Sequence, residues 1–77
     1  MTINEAFCIR ISRLTRNRMT VTQFEEESGI SRTLLKNLAN GNIGEVKLSH
    51  IVKVVRTLKI SLSEFFDNEL FYLSNLD

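Results

Sequence analysis

Arg32, Thr33, Lys36 and Asn37 place two cations, a hydroxyl and a carboxamide within six consecutive positions. On a helix opened by Ser31 they share the face turned away from Leu35 and Leu38. Such a set carries the chemistry of recognition. Arg32 can pair bidentately with guanine O6 and N7, Asn37 with adenine N6 and N7, and Thr33 can meet a thymine methyl or a base edge; Lys36 can read a base or hold a phosphate. The other reactive residue types lack the partners that catalysis or metal binding needs. Cys8 is the single cysteine, with no identifiable base beside it, and reads as a small core hydrophobe. His50 has no Cys, Asp or Glu at ligand spacing and is expected on the surface. Glu25, Glu26 and Glu27 suit the positive end of a helix. The glycines form no phosphate-cradling loop. Neither an enzyme nor a cofactor or metal is expected.

Positioning that face requires short helices in fixed order. The chain contains no proline, its three glycines fall between 29 and 44, and its apolar residues recur at helical spacing, which predicts an all-α domain of five helices. The first, over 4–18, buries Phe7, Ile11 and Leu14, widened by Cys8 and Ile9, and leaves Arg10, Arg13, Arg16 and Arg18 largely outside. The second opens on the capping box Thr20-Val21-Thr22-Gln23 and ends at Gly29, whose missing Cβ permits a left-handed turn. Ser31 caps a third over 32–40, stopped by Asn40-Gly41. The fourth covers 47–59 with Leu48, Ile51, Val52, Val55 and Leu58 on one face, Val54 beside it, and Ser61-Leu62-Ser63-Glu64 caps a fifth. Two short helices meeting at Gly29, with Phe24, Ile30, Leu35 and Leu38 to lock them, make a helix-turn-helix over about 20–40.

The stretches Met19-Thr20…Phe24…Gly29-Ile30-Ser31-Arg32-Thr33…Leu35…Leu38-Ala39-Asn40-Gly41 and Leu58-Lys59-Ile60-Ser61-Leu62-Ser63-Glu64-Phe65-Phe66 resemble the lambda repressor-like helix-turn-helix regulators, the XRE family. In size and short apolar tail the chain is similar to restriction–modification controller proteins and small phage repressors. It differs from the usual pattern at Val21 (commonly Gln), Glu25 (commonly Ala), Ser28 (commonly apolar) and Ala39 (commonly Glu). The resemblance implies a five-helix lambda repressor-like fold and double-stranded DNA as partner. It further implies base contacts from Arg32, Thr33, Lys36 and Asn37, and phosphate contacts from Thr20, Thr22, Asn42 and Ile43. Ser31, at the head of the reading helix, joins the phosphate set. Arg16, Arg18 and Lys47 are phosphate candidates by charge.

Seventy-seven residues fit one domain, and a core of that size profits from a partner. Ten Lys and Arg against five acids give residues 1–60 a net +5, while residues 61–77 carry four acids and no base. One face is thus suited to phosphates and another turned from them. Phe66 is expected in the core, sealing the fifth helix against the first and fourth. Phe65, Leu70, Phe71, Tyr72 and Leu73 are too many apolar residues for a free terminus and mark a surface over about 61–77. Homodimerisation is the preferred use, giving a transcriptional regulator on a near-palindromic operator. A protein partner is the rival, as in an antitoxin that binds both DNA and a toxin; an adaptor that kept the fold without DNA binding is a third reading. One cysteine, no membrane-length apolar run and no signal-peptide pattern point to the cytoplasm.

Overall fold

The computed structural model describes residues 1–16 and 18–77; the expectation that the first helix runs through residue 17 lies partly outside them. Five α-helices follow in order: α1 (Ile3–Thr15), α2 (Val21–Ser28), α3 (Arg32–Asn40), α4 (Leu48–Leu58) and α5 (Leu62–Phe66). Two 3-10 turns, η1 (Glu69–Phe71) and η2 (Leu73–Asn75), complete the chain. No described residue lies in a strand, and no helix is long and apolar enough to cross a membrane. The all-α, five-helix architecture read from the sequence is the one observed.

The helix boundaries follow from side chains that satisfy orphan backbone groups. Thr20 and Gln23 form the expected box, with the Gln23 N–H donating to Thr20 Oγ1 at 3.1 Å and the Thr20 N–H donating to Gln23 Oε1 at 3.0 Å. Ser61 and Glu64 do the same for α5. A third box, Thr2 with Glu5, opens α1; the sequence Thr2-Ile3-Asn4-Glu5 carries it in plain form. Two hydrogen bonds from Thr2 hold the Glu5 carboxyl below its ordinary pKa, the backbone one counting most. His50 serves α4 in place of an acidic cap: its Nδ1 accepts from the Lys47 N–H at 3.2 Å. It is half-buried rather than a plain surface residue. α1 ends at Thr15, short of the predicted 18, because Arg16 is extended (ψ 127°) and ends the helical run.

α1 packs on α3 and α4, α2 on α3 and α4, and α4 on α5. Between them lie Cys8, Ile11, Leu14, Phe24, Ile30, Leu35, Leu38, Val46, Ile51, Val54, Val55 and Phe65. Burial pushes the Cys8 thiol pKa upward, as suits a core residue. The structure departs from the sequence expectations at five points. Leu48 is 60% exposed because it stands in the first turn of α4, beyond the reach of the core, and Val54 rather than Val52 is fully buried. Phe7 is only half-buried; Ala6 and Cys8 stand deeper on α1. Phe65 points inward with no exposure while Phe66 is 37% exposed, the reverse of the expected assignment. Leu70 is likewise buried, so neither Phe65 nor Leu70 belongs to an exposed contact surface. The cause is a cluster of four phenylalanines, Phe7, Phe65, Phe66 and Phe71, whose ring centroids lie 5.1–6.4 Å apart in every pairing. It takes the apolar tail back onto α1.

Candidate nucleic-acid interface

α2 and α3 are joined by Gly29, Ile30 and Ser31. Gly29 is left-handed (φ 74°), its N–H donates to the Glu25 carbonyl at 3.1 Å, and the Ser28 hydroxyl accepts from the Ile30 N–H at 3.0 Å. A polar residue at 28 is therefore a turn former here, in a place where an apolar one was expected. Ile30 and Phe24, both 1% exposed, pin the turn to the core. Ser31 then opens α3, accepting from the Leu34 N–H at 3.2 Å. Leu35 and Leu38 face inward, leaving Arg32, Thr33 and Lys36 exposed and Asn37 half-buried.

Arg32 is held from two sides. Its backbone N–H donates to Glu25 Oε2 at 2.6 Å, and its guanidinium Nη2 donates to Thr22 Oγ1 at 2.8 Å. Glu25 occupies a position where a small residue was expected for close helix approach; its side chain instead reaches the first turn of α3. Among the described residues, no carboxylate forms an ion pair with Arg32, Lys36, Arg16, Arg18 or Lys47. Their charge is available to an outside anion.

Thr22 accepts from Arg32, and its own hydroxyl hydrogen has no acceptor among the described residues. The Thr20 hydroxyl both accepts from the Gln23 N–H and donates to Gln23 Oε1 at 3.3 Å, so it is already engaged. In the loop after α3, the Asn42 N–H donates to the Asn37 carbonyl at 2.9 Å, leaving Asn42 its side-chain amide for outside contacts. Ile43 is half-buried.

Two positioning residues carry no motif in the sequence. Asn4 on α1 grips the loop twice, donating from Nδ2 to the Ile43 carbonyl at 3.2 Å and accepting at Oδ1 from the Val46 N–H at 2.6 Å. Arg10, expected as a largely outward arginine, donates from Nε and Nη2 to the carbonyls of Phe65 and Glu64 at 2.9 and 2.8 Å. It ties α1 to the last turn of α5. Both bonds span some forty to fifty-five positions of sequence, which local patterns do not register.

A cavity of about 300 Å³ opens between the end of α1, the start of α2 and the middle of α3. Phe24, Leu35 and Met19 are among its lining residues, with Arg16, Thr20 and Lys36, which brings two of the phosphate candidates and one base candidate to the same concavity. Two short helices joined by a three-residue turn, the second with an exposed polar face, lie within residues 11–69, which match the family model of the Cro/C1-type HTH DNA-binding domain. The chain belongs to this family. Its helix-turn-helix is therefore a DNA-binding element, with double-stranded DNA as the partner class. No curated protein and no solved structure matches the chain.

Proposed function

We propose that the chain is a sequence-specific transcriptional regulator that binds a near-palindromic operator as a homodimer. The exposed row Arg32, Thr33 and Lys36 on α3 of a Cro/C1-type domain carries this reading. α3 enters the major groove, where these three and Asn37 read base edges. Thr22, Ser31, Asn42, Arg16, Arg18 and Lys47 hold phosphates, with weaker contributions from Thr20 and from the Ile43 backbone. The pairing surface is narrower than the tail's composition suggests. It is built on Tyr72 and Leu73, 63% and 86% exposed, with the accessible edges of Phe66 and Phe71. Large exposed apolar side chains on an acidic segment are suited to protein contact and ill suited to phosphates. The half-sites then lie about 34 Å apart.

The test is binding of the full chain to duplex DNA from upstream of its own gene, followed across salt concentrations. Preference over random duplex is expected, with affinity falling steeply as salt rises. Affinity no better than for random duplex would sink the reading. Arg32→Ala should cost about 1–3 kcal/mol and relax preference at one base position. Leu73→Asp should convert dimers to monomers in sedimentation; a dimer that persists would assign pairing to another surface.

A further inference from the structure

Glu25 sits on the helix that crosses the phosphates, yet its carboxylate reaches the first N–H of the helix that reads bases. That bond, at 2.6 Å, is one of the two shortest between backbone and side chain among the described residues. Thr22, one turn earlier on α2, takes the guanidinium of the same residue. Arg32 is thus bracketed at both ends, main chain and side-chain tip, by two residues of α2. We infer that Glu25 is a specificity-determining positioning residue: with Thr22 it fixes Arg32 in the orientation that reads its base pair. The inference rests on the DNA reading above.

Three physical points carry it. An arginine is long and loses much rotamer freedom when it must present a planar fork in one orientation. Fixing its backbone and one guanidinium nitrogen beforehand removes part of that loss from the binding step. The single bond to Thr22 also leaves the remaining guanidinium N–H groups without a partner among the described residues, so the fork can still make a bidentate contact. Finally, Glu25 acts through the backbone N–H and not through the guanidinium, so its negative charge holds Arg32 without capping its reading end.

The test uses duplexes that the wild-type chain selects from a randomised pool, and measures preference at each position as a ratio of dissociation constants. Arg32→Ala identifies the base pair that Arg32 reads. Glu25→Ala should reduce preference at that same pair by about tenfold and leave other positions unchanged. Glu25→Gln, whose amide oxygen can still accept from the Arg32 N–H, should retain it. Adding Glu25→Ala to Arg32→Ala should reduce preference no further. Undiminished preference in Glu25→Ala, or a loss spread evenly over all positions, overturns the inference. Should Glu25→Ala fail to fold, Thr22→Val decides: it removes the acceptor at little change in shape, and must lose preference at the Arg32 pair. If the wild-type chain selects no sequence at all, the regulator reading falls; if it selects one and the Glu25 and Thr22 variants select it equally well, only this inference falls.

Discussion

The helix-turn-helix and the carboxy-terminal segment are held to the same core by different means. α2, the turn and α3 contribute four buried side chains, Phe24, Ile30, Leu35 and Leu38, and are otherwise aligned by side chains bonded to backbone: Thr20 with Gln23, Ser28 with Ile30, Ser31 with Leu34, Glu25 with Arg32. Residues from 62 onward have such bonds as well, Ser61 with Glu64 and Asn68 with Leu70, but these act only within a five-residue helix and a single 3-10 turn. The segment is held by an aromatic cluster against Phe7 and by Arg10 from α1. Each bond in the first region is worth little and sets a direction, whereas the packing in the second is worth much and holds the tail to the body of the domain. Damage should therefore separate into loss of reading and loss of fold.

Removing packing should have the larger effect. Phe65→Ala empties a fully buried site touching three other rings and should destabilise the chain by about 3–5 kcal/mol in denaturant unfolding. A cost below that of a single cap would remove the distinction between the regions. Thr20→Ala should cost about 1 kcal/mol, since it deletes the cap of α2 without opening a cavity. The smallest effect concerns Glu5, whose carboxyl is depressed by its bonds to Thr2 and is fully exposed. A carboxylate with a lowered folded pKa contributes stability above its unfolded pKa and loses it as pH falls through the folded value. The melting temperature of the wild-type chain should thus fall slightly more than that of Glu5→Gln on acidification below about pH 4.5, the ordinary glutamate value. Parallel curves would detach Glu5 from the capping of α1.

The same division explains what could be read in advance. Thr20, Gly29, Ser31 and Ser61 announce their roles within three or four residues, because a cap or a left-handed turn is a local transaction between neighbours. The helix order and the exposed face of α3 followed from them. Which of Phe65 and Phe66 turns inward is not legible locally, since α5 is five residues long and its phase is set by Phe7, nearly sixty positions earlier. Arg10 and Asn4 escaped for the same reason. Glu25 stood out only as an unusual residue type, and its purpose emerged when the start of α3 was placed beside it.

Asn4 bears on how such a domain can change. It holds the loop after α3 through a carbonyl at Ile43 and an N–H at Val46, atoms that every residue except proline possesses. The loop's path is thereby independent of the identity of its exposed members, Asn42, Gly44 and Glu45. Those three positions can accept new side chains, and so new contacts, while the frame that presents them stays still: variation is cheap where it is useful, and the cost of keeping it so falls on one asparagine on a different helix.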